Sequence, residues 1–231
     1  MLALRRSSER GYADQGWLRT RRAFSFAGYH DPAHMGFRNL RVINEDVVMP
    51  GEGFDTHPHR DMEILTYVIS GQLAHKDSMG NGRIIMPGEV QGMSAGTGIT
   101  HSEFNASNTQ PVHLLQIWIT PHTKRVTPSY AEWKPSGMEK EGWAMAASPD
   151  GEAGSVPMHQ DARMYVATPA EDKALVAPLA EGRFGWLQVA VGQARLGGVV
   201  LEAGDGAAFD AASIREVGAS RGATLLLFDL A

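Results

Sequence analysis

Short runs of apolar or alternating residues recur from Leu40 onward, and each has the length of a β-strand. Glycine, proline and asparagine end these runs, as in Pro50-Gly51 and Gly80-Asn81-Gly82, and these residues are strong turn signals. No window keeps a helical period, apart from short pieces near Tyr130–Trp133 and Ala211–Ile214. Many short strands at this spacing are typical of a β-sandwich or barrel, so we predict an all-β fold. The predicted strands are Leu40–Val48, Ile64–Ile69, Arg83–Met86, Val112–Ile119, Leu187–Val191, Val199–Leu201 and Leu225–Phe228.

A weak internal repeat divides the 231 residues into two units. In the first unit a strand ends in Gly71-Gln72 and a glycine–acid turn follows at Gly88-Glu89. In the second unit the same features stand at Gly192-Gln193 and Gly204-Asp205. Such self-similarity indicates two related β-units. Because residues 134–157 are rich in glycine, proline, serine and charge, we predict domains at 1–133 and 158–231 with a linker at 134–157.

The chain contains no cysteine, which excludes a disulfide scaffold, a cysteine-ligated metal or cluster site and a thiol nucleophile. Any metal must therefore be held by histidine, aspartate and glutamate. No export signal is visible in Met1–Arg6, and the longest apolar run, Leu225–Phe228, is far shorter than the ~20 residues that span a bilayer. We expect a soluble cytoplasmic protein with no membrane partner.

Positive charge is concentrated at the start of the chain. The first 22 residues hold six arginines against Glu9 and Asp14, a net charge of +4, while the whole chain carries −5. A basic arm could contact nucleic acid or an acidic partner, but six arginines on a short terminal segment are more often a solvated edge. We adopt the solvated edge and do not expect nucleic-acid binding.

Two pairs of potential ligands stand at the same spacing, His57-Pro58-His59 and His101-Ser102-Glu103. Residues two apart on a strand point to one face and lie about 6.6 Å apart along the chain. If the two strands face each other across a barrel, three imidazoles and a carboxylate converge. Such a site accepts Fe(II), Mn, Ni, Co, Cu or Zn. A single His-x-His pair more often lies on the surface or in a turn, but a second pair at the same spacing favours a metal site.

A further carboxylate, Glu63, has the same parity as His57 and His59 and competes for the fourth ligand position. We prefer Glu103, because it lies one same-face step from His101, and predict that Glu63 orients a ligand imidazole through a hydrogen bond. The other histidines are predicted to be structural or exposed to solvent, namely His30, His34, His75, His113 and His122.

Several longer motifs make a family resemblance visible. The arrangement Gly51…His57-x-His59…Glu63…Gly71 resembles the first cupin motif, and Gly98-x-x-His101-x-x-x-Asn105 resembles the end of the second. The chain is more specifically similar to the pirin family, in its bacterial branch that includes quercetin 2,3-dioxygenase-like proteins. The segments that carry this resemblance are Phe24–Tyr29, Asp31–Phe37, Leu40–Asn44, Thr56–Val68 and Met93–Asn105.

The resemblance implies a bicupin, two jelly-roll-like barrels in one chain, with one divalent transition metal ion in the N-terminal barrel. Fe(II) is the first expectation, and the ligands would be His57, His59, His101 and Glu103. The C-terminal barrel departs from the metal pattern, because the last histidine of the chain is His159, so we expect that barrel to be metal-free.

The implied activity is the cleavage of the central ring of a flavonol such as quercetin by O2, with release of carbon monoxide. In that reaction Glu103 would act as both ligand and base. Two alternatives stay open at this point. One is a metal- or redox-dependent regulatory protein that binds a protein partner, and the other is a cupin oxygenase for a different enolic or aromatic compound.

Overall fold

The chain forms twenty-two strands, one α-helix and two short 3-10 helices in a computed structural model that describes residues 1–231. The helix, α1, covers only Met138–Glu141, and no helix is long and apolar enough to cross a membrane. The strands of the first half are β1 Leu2–Arg5, β2 Gly11–Asp14, β3 Leu18–Arg22, β4 Leu40–Val48, β5 Gly53–His59, β6 Glu63–Ser70, β7 Leu73–Asp77, β8 Gly82–Ile85, β9 Val90–Ser94, β10 Ile99–Asn105, β11 Val112–Ile119 and β12 Ser129–Trp133. Those of the second half are β13 Ala144–Ser148, β14 Val156–Pro157, β15 Ala162–Ala167, β16 Lys173–Val176, β17 Phe184–Val191, β18 Gln193–Leu196, β19 Val199–Glu202, β20 Gly206–Asp210, β21 Glu216–Ala219 and β22 Thr224–Leu230.

These strands build two barrels, each from a seven-stranded and a four-stranded sheet. The first barrel combines the order β12-β9-β6-β11-β4-β3-β2 with β5-β10-β7-β8. The second combines β1-β20-β17-β22-β15-β13-β14 with β16-β21-β18-β19. The predicted all-β fold is confirmed, and the predicted strands Leu40–Val48 and Val112–Ile119 coincide with β4 and β11.

The two segments with a weak helical pattern do not form helices. Tyr130–Trp133 lies in β12, where it pairs with β9 at the edge of the first large sheet, and Ala211–Ile214 forms a turn. In the first of these segments the hydrogen bonds of a sheet edge override a short local pattern, because strand preference depends strongly on tertiary context.

Apolar side chains are distributed unequally between the two barrels. A cluster of 25 buried residues, among them Leu65 and Phe228, packs between the two seven-stranded sheets and joins the barrels. The interior of the second barrel holds a further cluster of 19, whereas the first barrel holds only two small clusters of 7 and 4. The first barrel therefore has interior space for polar side chains, and the second is filled by its apolar core.

The start of the chain crosses from one barrel to the other. Strand β1 pairs with β20 of the second barrel, and the predicted linker at 134–157 contains β13 and β14 of the same sheet. Residues on both sides of the predicted domain bounds thus complete the second barrel. Strand pairing depends on contacts between residues that are distant in sequence. Composition alone therefore does not predict that β1, β13 and β14 belong to the second barrel.

The arginines of this first segment are used inside the molecule. Arg5 and Arg10 are each only 4% exposed. The Arg10 guanidinium donates to Glu45 at 2.7 Å and to the Gly204 carbonyl at 2.8 Å, which links the two barrels, and Arg6 pairs with Asp205. The predicted solvated edge is wrong for Arg5 and Arg10, because the crossing of the chain places them at the junction of the barrels.

Candidate metal centre

The two predicted ligand pairs lie on neighbouring strands of the four-stranded sheet. Strand β10 pairs antiparallel with β5, with His101 opposite His57 and Ile99 opposite His59. We expected the strands to face each other across a barrel, and this detail is wrong. Opposed residues on paired strands have Cβ atoms about 5 Å apart, so neighbouring strands bring the imidazoles together without crossing the interior.

Alternation along β10 turns its candidate ligand residues inward, as predicted. Residues Ile99, His101, Glu103 and Asn105 are buried, whereas those between them are only half-buried. His57 and His59, on the partner strand, are half-buried and face the same way.

Three imidazoles converge closely enough to hold one ion. The ring centroids lie 4.5 Å apart for His57 and His101, 4.8 Å for His57 and His59, and 4.8 Å for His59 and His101. The Nε2 atoms of His59 and His101 are 2.9 Å apart. Two nitrogens that each lie about 2.1 Å from an ion at a right angle are about 3 Å apart, so this spacing fits two ligands of a transition metal.

The protonation of the imidazoles also suits a metal. Nδ1 of His57 lies 2.7 Å from the Asp55 carbonyl, which can only accept, so Nδ1 carries a proton and the neutral tautomer of this ring has its lone pair on Nε2. Burial, with the charge of His57, lowers the pKa of His59 to about 4. Burial and the neighbouring imidazoles lower the pKa of His101 to about 2. At neutral pH, protons therefore do not compete for these two ligands.

Glu103 is held from the opposite sheet by two hydrogen-bonding side chains. Nε2 of Gln116 donates to its Oε2 at 2.7 Å, and the Thr66 hydroxyl lies 3.1 Å from its Oε1 and 2.9 Å from Oε1 of Gln116. Thr66 has only one proton to donate, so a protonated Glu103, donating to Thr66, satisfies all three groups in a ring. Burial raises the pKa of Glu103 to about 7, and the hydrogen bonds from Thr66 and Gln116 limit the increase.

The Glu103 carboxylate lies next to the group formed by the three imidazoles but is not a member of that group. Potential ligand atoms of His57, His59 and His101 lie within 4.8 Å of one another, and a second group of the same kind contains His75, His101 and Glu103. His101 thus belongs to both groups. Glu103 lines the same cavity as His57 and His59.

A glycine and a bulge allow β5 to approach β10 next to Glu103. The register shifts between His101 and Glu103, so that Glu103 lies opposite Phe54. A Cβ atom on Gly53 would lie 2.3 Å from the Glu103 carbonyl oxygen. This distance is a steric clash, so a larger residue at this position would displace one of the two strands. Glycine is thus required where the two backbones come closest.

Glu63 lies on the wrong face of its strand for the predicted role. It points, with Leu65 and Tyr67, toward the core between the large sheets, and its carboxylate accepts a hydrogen bond from the Ser94 hydroxyl at 2.5 Å. No hydrogen bond joins it to His57, His59 or His101. The chain turns between β5 and β6 at Asp61, which has a φ of 48°, so the count of alternating positions does not continue across that turn.

His75, predicted to be structural or exposed, lies next to the imidazole group. It is opposite Glu103 on β7, is 3% exposed, and its ring centroid is 5.4 Å from that of His101. Its Nε2 is 3.4 Å from the Asp77 carboxylate, and its Nδ1 has no partner. The buried alternation Leu73-x-His75-x-Asp77 is a signal by which the sequence could have revealed it.

A cavity of about 390 Å³ opens beside these groups within the first barrel. This volume falls in the range of small-molecule sites. Its aromatic walls come from Trp17, Phe26, Phe54 and Trp118, and its polar lining includes residues that the sequence analysis missed, namely Gln15, Thr20, Arg22, Asn44, Asp46 and Gln116. Polar residues at alternate positions of otherwise apolar strands, such as Asn44 and Asp46 in β4, were the available signal.

Known families match both halves of the chain. Residues 3–119 match the family described as Pirin, and residues 145–230 match the one described as the quercetinase C-terminal cupin domain. The chain belongs to the pirin family. Its two barrels are cupin domains, so the predicted bicupin architecture and the predicted family are both confirmed.

Full-length relatives of this pirin carry names that bear on its chemistry. Quercetin 2,3-dioxygenase of Escherichia coli strain K12 is 45% identical over 230 residues, which cover 100% of this chain and 99% of that protein. A pirin-like protein of Caulobacter vibrioides is 39% identical and covers 96% of each chain. The solved structure of the E. coli pirin YhhW in complex with nickel(II) superposes with a TM-score of 0.93 at 45% identity, covering 100% of this chain and 99% of that one.

Proposed function

We propose that this pirin is a metal-dependent dioxygenase that cleaves the central ring of flavonols with O2 and releases carbon monoxide. The observation that carries the proposal is the shared cavity. There the imidazoles of His57 and His59 adjoin a carboxyl group with a pKa near 7 and aromatic walls. The full-length relative named quercetin 2,3-dioxygenase supports the same substrate class.

We assign one divalent transition metal ion to His57, His59, His101 and Glu103. The short Nε2–Nε2 distance between His59 and His101 and the lowered pKa values of both support these two ligands. Glu103 is included because it lines the same cavity as His57 and His59. Imidazole and carboxylate ligands accept several ions, and the E. coli relative was solved with nickel(II). Fe(II) is our first candidate, and nickel is the second.

In this proposal Glu103 takes the proton of the flavonol 3-hydroxyl group. A base with a pKa near 7 is half ionised at neutral pH and can both accept and return a proton, which is the most useful range for such a residue. After it accepts the proton, Glu103 donates to Thr66, Thr66 donates to Gln116, and Gln116 donates back, so the ring of hydrogen bonds holds the proton in place. When bound, the metal would polarise the substrate oxygen and provide the electronic route to dioxygen.

The aromatic walls position a flat ring system and exclude water. Phe26 contacts Trp118 edge-on at 5.1 Å, and Trp118 in turn lies 5.0 Å from the His59 ring. A planar substrate can therefore stack beside the ligands. Both atoms of dioxygen enter the products: the flavonol loses one carbon as carbon monoxide, and the remaining two parts stay joined as an ester.

The structure weakens the sequence argument for the first alternative, a regulatory protein that binds a protein partner. It rested on a basic N-terminal arm free to bind a partner, but Arg5 and Arg10 are buried and Arg6 pairs with Asp205. The second alternative, an oxygenase for another enolic or aromatic compound, uses the same site, so a substrate comparison decides between it and flavonol cleavage.

The test is metal analysis of the purified protein followed by incubation with quercetin in air and under argon. We expect loss of flavonol absorbance and release of carbon monoxide only in air. His101→Ala should abolish metal retention and turnover together, whereas His30→Ala, the same change at an exposed position, should preserve both. A metal-loaded protein that leaves quercetin unchanged in air would refute the proposal, and a Glu103→Gln variant with full turnover would refute the base assignment.

A further inference from the structure

Three buried polar atoms on one side of the cavity have no hydrogen-bond partner. They are Nε of Arg22, Oδ1 of Asn44 and Oδ1 of Asp46. Asn44 and Asp46 are each 4% exposed. Buried polar atoms are nearly always paired, so three unpaired atoms on neighbouring strands indicate that something else hydrogen-bonds to them.

The register of the sheet places these residues side by side. On paired strands β3 and β4, Arg22 lies opposite Asn44 and Thr20 lies opposite Asp46. Asn44 is also opposite Gln116 on β11, and Gln116 donates to Glu103. Adjacent strands lie about 4.8 Å apart, so Asn44 is about 5 Å and Arg22 about 10 Å from the Gln116 backbone across the sheet. A fused or linked aromatic ring system spans that distance.

The side chains that carry these three atoms line the cavity that holds His57, His59 and Glu103. Two of them, on Asn44 and Asp46, accept hydrogen bonds, and the third, on Arg22, donates one. Two adjacent phenolic hydroxyl groups are complementary to this set, since each O–H can donate to one acceptor and one oxygen can accept from the guanidinium. A bare aromatic ring would leave all three atoms unpaired.

We infer that Arg22, Asn44 and Asp46 form a subsite that binds the hydroxyl groups at the end of the aromatic substrate remote from the metal. The substrate class is therefore a planar aromatic molecule with hydroxyl groups at both ends. Its identity as a flavonol rests on the proposed function, but the subsite makes its own contribution to binding. Sites built to hydrogen-bond a hydroxyl group discriminate strongly against analogues that lack it.

The experiment compares flavonols with no, one and two adjacent hydroxyl groups on the pendant ring. Affinity for the nickel-loaded protein is measured by absorbance titration without oxygen, and kcat/KM of the iron-loaded protein is measured in air. We expect the wild-type protein to bind the dihydroxylated compound at least about tenfold more tightly than the unhydroxylated one. Asn44→Leu and Asp46→Leu each remove an acceptor, so each should reduce this preference by about tenfold or remove it, with a smaller change for the unhydroxylated compound.

Asn39→Leu is the matched control, because Asn39 precedes β4 and has an unpaired buried Oδ1 but does not line the cavity. This variant should keep the wild-type preference. Equal affinity of the wild-type protein for all three flavonols would overturn the subsite. It would indicate that water hydrogen-bonds to the unpaired polar atoms instead. A preference unchanged in both cavity variants would overturn it as well. A hydroxyl preference without turnover in air would support the subsite and refute the proposed dioxygenase, whereas turnover without preference would do the reverse.

Discussion

Replacing Asp46 with asparagine should stabilise this pirin above pH 6, because a buried carboxyl group then no longer has to ionise away from water. Asp46 is 4% exposed, and its Oδ1 has no partner. Burial raises its pKa to about 6 from the ordinary value of 3.8, although the Thr20 hydroxyl and the charge of Arg22 offset part of the increase. Asparagine keeps the shape of the side chain and carries no charge.

The magnitude follows from the difference between the folded and unfolded pKa values. Well below pH 3.8 the carboxyl group is protonated in both states, so Asp46 carries no ionisation penalty there. As the pH rises through 6 the folded state must release a proton that the unfolded chain has already lost, and its stability falls. A difference of about 2 pKa units corresponds to about 3 kcal/mol of unfolding free energy, fully expressed above pH 7. For a chain of this size the gain should raise the melting temperature by about 6–12 °C.

The assay is thermal and urea unfolding of the metal-free wild-type and Asp46→Asn proteins between pH 4 and 8.5. We expect curves that coincide near pH 4 and separate as the pH increases. Asp150→Asn, the same change at an exposed position, should have the same unfolding free energy as the wild-type protein at every pH. A gain that does not depend on pH, or a loss of stability at pH 8, would contradict the reasoning and indicate that the ionised carboxylate is paired in the folded protein.

Three further substitutions test the site and the junction of the barrels. Gln116→Leu removes a donor that limits the pKa of Glu103, so the activity–pH profile should shift to higher pH while the metal content is retained. Gly53→Ala forces a Cβ against the backbone of Glu103 and should lower both the melting temperature and metal affinity, which metal titration measures. Arg10→Met leaves Glu45 without its guanidinium partner at the barrel junction, although Glu45 keeps its contact with His113, and should destabilise the protein by about 1–3 kcal/mol in urea unfolding.

Much of the site was predictable because it depends on alternation within single strands. The two predicted ligand pairs lie on β5 and β10 and each points to one face, as the two-residue period requires. The same reasoning failed for Glu63, since the positive φ of Asp61 breaks the period between the strands.

Other parts of the site arise from strands that are distant in sequence. His75 and Gln116 flank Glu103 only because β7 pairs with β10 and β11 belongs to the opposite sheet. The order of strands in a sheet follows from packing over the whole fold, and no local pattern in either segment specifies its neighbour. Asn44 and Asp46 likewise became cavity residues through the position of β4, although their alternation was visible.

The sequence by itself determined the all-β class, the family, the two barrels and the two pairs of candidate ligands. These properties reside in strand periodicity, turn residues and motif spacing, which covalent geometry controls locally. Only the tertiary structure decided that the candidate ligand strands are neighbours, that the first strand completes the second barrel, and that side chains with unpaired polar atoms line the cavity. The physical reason is that strand pairing and burial are set by contacts between residues far apart in the chain, where side chains meet only after the whole core has formed.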